Sequence, residues 1–208
     1  MSSDIRLILG TPNQSSWSMR AFLCATPLID ALTIDWRTFD ENDKLTDSKD
    51  CPTAQVPVLY LRNDPSAIVE TFAIAETLAE LGGLQWPDAS TQRSTARSLC
   101  LEFQSNSSAL RKAVPMDLSM NAQRLDPHPD LIFWTERLNQ LLKQSNGEFL
   151  FGDLSIADAW FSPVVARAVR CDLIKSMELQ QYLESLRTTQ GWIQWMKHVG
   201  DAGHDYVS

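Results

Sequence analysis

The feature that most constrains this chain is a change of rhythm near residue 84. Before it, apolar runs of strand length are interleaved with helix-spaced ones; after it, the apolar patterning reads as helix throughout. Residues 5–9, Ile-Arg-Leu-Ile-Leu, predict a first strand. Gly10 to Ser15 is turn-forming, and Trp17, Met19, Phe22 and Leu23 then recur at helical spacing, in a helix that ends before Pro27. Residues 32–38 alternate as a second strand, 40–52 read as a polar loop with a short helix, and 57–61 as a third strand. The turn Asn63-Asp64-Pro65 leads to a short fourth strand at 67–69, close enough to the third to form a hairpin. Thr71 is expected to cap a further helix whose Ile74, Leu78 and Leu81 face inward, with Gly82-Gly83 as its end. The order βαβ then ββα is that of a small α/β unit.

A chain that begins so and continues only in helices divides in two. An α/β domain is expected over 1–83 and an all-helical domain over 91–208, with Trp86-Pro-Asp-Ala-Ser90 as linker. Helices are predicted at about 91–113, 128–145, 156–170, 177–188 and 189–198, punctuated by Pro115, Pro127, Pro129 and Gly147. Ser155-Ile-Ala-Asp158 reads as a capping box at the start of the third of these, with Asp where Glu or Gln is usual.

Charge then excludes classes of partner. Lys plus Arg is 18 against 26 for Asp plus Glu, a formal net charge of −8. A nucleic-acid binder should carry a basic face, and an anionic membrane would repel this chain. No apolar run reaches transmembrane length, and Met1-Ser-Ser-Asp-Ile-Arg lacks the layout of a signal peptide. The expectation is a cytoplasmic protein with neither nucleic acid nor membrane as partner. The acidity is uneven: 6 basic and 12 acidic residues over 1–83, 12 and 14 over 84–208. A solvated acidic surface accounts for this more simply than a docking face. Cysteines at 24, 51, 100 and 171 are too far apart for a zinc site and form no C-x-x-C, so no metal is expected.

Three motifs, in order along nearly the whole chain, carry a resemblance. Asn13-Gln-Ser-Ser-Trp-Ser-Met-Arg20 is similar to S-x-[aromatic]-x-x-R. Ala54-Gln-Val-Pro-Val-Leu59 is similar to G-[KQ]-V-P-x-L and is followed by Ile68-Val-Glu-Thr71, similar to I-x-E-S. Leu150-Phe-Gly-Asp-Leu-Ser-Ile-Ala-Asp-Ala159 is similar to a helical-domain motif around S-x-A-D. Together they resemble the cytosolic glutathione transferase superfamily. Ser-Ser-Trp-Ser with Ala-Leu-Arg-x-x-x-Pro-Met at 109–116 further resembles its bacterial serine-type, zeta-like subgroup.

The resemblance implies a thioredoxin-like domain followed by a helical bundle, a homodimer joined mainly through the helix after Thr71 and the first long helix, and glutathione as co-substrate with a small electrophile. It implies that Val56, before a cis Pro57, offers its N–H and C=O to the cysteinyl backbone of glutathione. Glu70 and Thr71 would take the γ-glutamyl end, at a helix N-terminus suited to a carboxylate. Gln55 and Lys44 would lie near the glycyl carboxylate, Gln55 as a neutral donor where many members carry Lys. The family activates the thiol with Tyr, Ser or Cys. The first tyrosine is Tyr60, and Cys24 lies two turns into the first helix, so serine remains. Of Ser15, Ser16 and Ser18, the family spacing to Arg20 and Leu23 favours Ser15, with Ser16 as the alternative and Ser18 one turn further in. Asn13 or Gln14 could assist. Arg20 is expected to pair with a carboxylate, and Trp17 to be core. The electrophile pocket is expected between the domains, near Gln104, Ser105, Ser108 and Arg111. Gln104 and Ser107 stand where the subgroup often has His and an aromatic.

Two other functions suit the same resemblance. One is a glutathione-dependent isomerase of the maleylacetoacetate type, although Trp17 stands where that family has Cys. The other is a non-catalytic glutathione-binding or interaction protein.

Overall fold

The computed structural model describes residues 5–62, 64–119 and 122–204, with 201–204 described by backbone alone. The contacts divide the chain into two compact units. One comprises the chain to Leu84 together with the part from Trp195 onward, and the other runs from Gln85 to Gln194.

The first unit is built on a three-stranded sheet in the order β2-β1-β3. β1 (Ile5–Gly10) lies parallel to β2 (Leu32–Arg37), with Ile5 opposite Leu32 and Gly10 opposite Arg37. β3 (Val58–Leu61) runs antiparallel to β1, with Ile8 opposite Val58. The crossover from β1 to β2 is α1 (Ser16–Ala25), extended by a 3-10 turn at Thr26–Ala31 that continues the coil past Pro27. Proline occupies the start of that turn, where its missing N–H costs nothing. Strand alternation sorts the side chains. Ile8 packs with Cys51 and Val58 under the loop that follows β2, and Leu45, Val56 and Tyr60 close over them. The rings of Phe22 and Trp36 meet Trp195 and His198 of the last helix, with centroids 5.0 to 5.8 Å apart. This is why the chain from Trp195 onward belongs with the first unit, although the sequence assigned all residues after 91 to the helical part.

Two expectations for this unit are corrected. Residues 40–52 contain no helix; they form turns held by an isolated bridge between Phe39 and Leu45 and by Asp40, whose carboxylate accepts from the N–H groups of Asn42 and Lys44. A carboxylate that competes for local N–H groups favours a turn over a helix. The fourth strand is reduced to one bridge, Leu59 with Ile68, bonded in both directions at 2.9 and 3.0 Å. Arg6 ties the loop down by donating to Asp35 at 2.6 Å and Asp50 at 2.9 Å.

The second unit holds α3 (Ser90–Asn106), α4 (Ser108–Ala113), α5 (Pro129–Gln144), α6 (Ile156–Arg170), α7 (Met177–Thr188) and the start of α8 (Gln190–His204). The helix expected over 91–113 is broken at Ser107, which leaves the helical conformation at φ −94°, ψ 11°. The expected linker is ordered structure. Trp86 is buried beneath Arg97, whose guanidinium lies 5.4 Å from the ring centroid, and the Gln85 carbonyl accepts from the Ile156 N–H at 2.9 Å. The core centres on Phe103, Trp134 and Phe161, with ring centroids 5.3 to 5.7 Å apart. The capping box forms: Asp158 accepts from the N–H and hydroxyl of Ser155, each at 2.9 Å, and from Leu150 N–H and the Tyr182 hydroxyl, each at 3.0 Å. All four cysteines are free thiols in buried positions. Among the described residues no helix is long and apolar enough to cross a membrane.

Candidate functional site

Several segments of the first unit meet at the C-terminal end of β1. The Gly10 N–H donates to Ser18 Oγ at 2.9 Å. A Cβ at residue 10 would lie 2.7 Å from the Phe39 ring and 2.9 Å from Val56 Cγ2, so this close approach requires glycine. The chain then turns: the Thr11 carbonyl accepts from Gln14 N–H at 3.1 Å and Ser15 N–H at 2.9 Å. The turn leaves Ser15 as N-cap of α1, in extended conformation, with its hydroxyl accepting from Ser18 N–H at 3.3 Å.

Ser15 Oγ also donates to Ser18 Oγ at 2.8 Å, and both side chains are buried. A hydroxyl rotates and can be donor or acceptor, so the Ser15 proton can turn to another acceptor while Ser18 donates to Ser15. Ser18, a third serine of this stretch that the sequence places one turn further into the helix, is thus the hydrogen-bond partner of Ser15. Its serine–serine spacing of three, across the first turn of a helix, was the available signal. Ser16 follows as the first helical residue, and its carbonyl accepts from Arg20 Nη1 at 3.0 Å. The Arg20 guanidinium stands 4.4 Å from the Trp17 ring centroid, and Trp17 is half-buried. Asn13 is half-buried and Gln14 exposed.

Val56 lies across from Gly10, and the Val56–Pro57 peptide is cis. The N–H and C=O of Val56 have no hydrogen-bond partner among the described residues. The antiparallel Leu59–Ile68 bridge ties β3 to the segment that runs into Glu70 and Thr71. α2 (Thr71–Glu80) begins there. The N-cap is Glu70 and Thr71 is the first helical residue, which corrects the expectation that Thr71 is the cap. The Glu70 side chain makes no cap hydrogen bond at this end, which carries the partial positive charge of a helix start. Glu70 sits at φ 68°, ψ 117°, a conformation that costs a non-glycine residue roughly 1–3 kcal/mol and persists only where the surroundings enforce it. Its side chain is exposed, and Thr71 is buried.

The two remaining expected residues stand at the rim. Gln55 is exposed and adjoins Val56. Lys44 is exposed; its backbone is fixed by Asp40, and its neighbour Leu45 packs with Val56 against Ile8. The structure therefore brings Ser15 and Val56 to the end of β1, through Ser18 and Gly10, with Lys44 and Gln55 adjoining residues packed there; Glu70 and Thr71 follow the segment bridged to β3. Cys24 is no rival nucleophile: burial pushes its thiol up to about 12.

No family model matches the sequence, and no curated protein matches it. Solved structures do match over nearly the whole chain. A glutathione transferase homologue from Burkholderia, with bound glutathione, is 23% identical with a TM-score of 0.63, over 95% of this chain and 98% of that one. A tau-class glutathione S-transferase from mango, Mangifera indica, is 16% identical with a TM-score of 0.67, over 99% and 98%. Glutathione transferase Omega 2C from Trametes versicolor is 14% identical with a TM-score of 0.69, over 99% and 100%. The fold is that of the glutathione transferases. Transferases of several classes share it with this chain at low identity, so the choice of thiol-activating residue rests on the residues themselves.

Proposed function

We propose that this protein is a glutathione transferase of the serine type, conjugating the glutathione thiolate to a soft electrophile. The observation that carries the reading is the peptide edge at Val56, unpaired among the described residues, in a chain whose β3 is bridged to the segment leading into α2. A tripeptide can pair its backbone with that edge and set a carboxylate on the helix end, with Glu70 accepting from the adjacent ammonium. Glutathione bound to the Burkholderia structure supports the same ligand.

In this reading the Ser15 hydroxyl donates a hydrogen bond to the thiolate, and Ser18 turns its own hydroxyl to donate to Ser15 Oγ, so that one donor to the sulfur is backed by a second. The start of α1 adds its partial positive charge. Lowering a thiol pKa by about two units needs roughly 2.7 kcal/mol of differential stabilisation, within reach of one charge-assisted hydrogen bond and a helix end. Attack on an aryl halide then forms the C–S bond and expels halide, and the thiol proton leaves to solvent.

The test is calorimetric titration with glutathione, followed by turnover of a generic aryl halide. Binding with halide release supports the reading. Binding without conjugation of any electrophile in a panel would favour the binding-protein function, and isomerisation of a maleyl substrate would favour the isomerase. Absence of glutathione binding would reject all three.

A further inference from the structure

The helical unit carries a reactive dipeptide that the glutathione reading leaves unused. Asn146 is the one asparagine of the sequence followed by glycine. The pair lies in the bend after α5, and both residues are exposed. Among the described residues the Asn146 side chain holds no hydrogen bond or ion pair, so its carboxamide is free to turn onto its own main chain. The glycine is fixed by packing. A Cβ at residue 147 would lie 2.3 Å from the Gly152 carbonyl oxygen and 2.8 Å from its carbon, so the fold keeps glycine at this place. Without a side chain, the Gly147 nitrogen is open to the Asn146 carboxamide.

A hydroxyl restrains that nitrogen. Ser145 is the C-cap of α5, and its Oγ accepts from the Gly147 N–H at 3.3 Å. The same hydroxyl donates to the Phe149 carbonyl at 2.6 Å, which leaves its lone pairs for the Gly147 N–H. An amide nitrogen must lose its proton before it attacks a carboxamide. An acceptor that holds the N–H stabilises the protonated form and fixes the nitrogen in the bend.

We propose that Asn146–Gly147 is a self-modification site, converted through a cyclic imide to isoaspartate, and that the Ser145 hydroxyl is the latch that slows it. The Gly147 nitrogen attacks Asn146 Cγ. The N–Cγ bond forms, the Cγ–Nδ2 bond breaks, and ammonia leaves with the proton that the nitrogen gives up. Water then adds to an imide carbonyl and opens the ring to aspartate or isoaspartate. Isoaspartate routes the main chain through Cβ and adds a methylene beside the close approach to Gly152. The residues that follow carry the bridge between Phe149 and Gly152 and the Leu150 N–H bond to Asp158 at 3.0 Å.

The test is incubation of the full chain in mildly alkaline buffer, folded and in urea. Peptide mapping and enzymatic methyl transfer to isoaspartyl groups are the readout. The folded wild type should form isoaspartate at Asn146, more slowly than the unfolded chain and faster as pH rises. Ser145→Ala should accelerate the folded reaction by about threefold or more, as expected for loss of one hydrogen bond. Ser145→Thr, which keeps the hydroxyl, should restore the slow rate. Asn146→Gln should stop the reaction, since its imide ring is larger and closes far more slowly. Product in urea with none in the folded wild type overturns the site, and this arm decides the matter should Ser145→Ala fail to fold. Equal rates in folded wild type and folded Ser145→Ala overturn the latch. Neither arm contains glutathione, so failure here and failure of the transferase reading are separable.

Discussion

Ser15 and Ser18 stand three residues apart and share one short hydrogen bond, with Gly10 N–H feeding the second hydroxyl. If Ser15 activates the thiol, Ser15→Ala should lower kcat/KM by about 10- to 100-fold near pH 6.5, with the bound thiol pKa returning toward roughly 8.5. Ser16→Ala should change it by less than about threefold, because the first helical position carries no capping role. A pH–rate profile separates this from loss of the cap, which would change stability and leave the pKa in place. Equal effects from both substitutions would reject the assignment. Ala54 shows a different kind of residue effect. It occupies φ 51°, in the left-handed region, where the resembling motif has glycine. Ala54→Gly should therefore stabilise the protein by about 0.5–1 kcal/mol, as relief of left-handed strain exceeds the entropy cost of glycine. Urea unfolding measures it, and a loss of stability would mean that the turn is not strained. The sequence exposed the motif and the departure from it, but not the backbone angle, which is fixed by Cys51 accepting from the Ala54 N–H at 2.8 Å.

At the scale of elements, α6 depends on a buried carboxylate. Asp158 accepts four hydrogen bonds, yet desolvation outweighs them and pushes it up to about 6 from an ordinary value of 3.8. A raised acid pKa means that the native state holds the proton more tightly than the unfolded chain does. The stability from this group is then complete below about pH 4 and is lost as pH rises through about 6. The free-energy difference between wild type and Asp158→Asn should shrink by up to about 3 kcal/mol from pH 4 to pH 7. Denaturant melts of both proteins across that range test it, and a difference that grows with pH would refute it. Ser155→Ala should cost roughly 1 kcal/mol or more at any of these pH values. This box was legible because its spacing is local, as were α6 and α7, whose bounds match the apolar period. The break at Ser107, the bridge in place of a fourth strand and the turns at 40–52 were not legible. Each is decided by a tertiary partner or a competing side chain, which a local pattern does not contain. The residues proposed for glutathione were named from motifs, whereas the arrangement of Ser18 and Gly10 appeared only once β1 and α1 were packed.

For the whole molecule, the open property is assembly, and the resemblance assigns it to α2 and the first long helix. Each of those helices leaves a large apolar side chain in solvent: Leu81, at the end of α2, is 41% exposed and Leu101 of α3 is 45% exposed. Single exposed leucines are ordinary, so these two acquire meaning only if a second copy covers them. A twofold dimer would bury the same patch on both protomers, and a stable one buries on the order of 1,600 Å² in all. Each protomer brings a net charge of −8, so the pair must form against like-charge repulsion. Salt screens that repulsion, with a Debye length near 8 Å at about 0.15 M and about 30 Å at 0.01 M. Sedimentation should then give twice the 23.4 kDa chain at physiological salt, with a weaker dimer at low salt. Leu101→Glu adds a charge to the proposed contact and should shift the protein toward monomer at micromolar concentration, with glutathione affinity changed by less than about threefold. A wild-type protein that sediments as a monomer at every concentration and salt would remove the dimer and leave Leu81 and Leu101 as ordinary surface residues. Loss of glutathione binding along with the dimer would instead mean that the site is completed by the second copy.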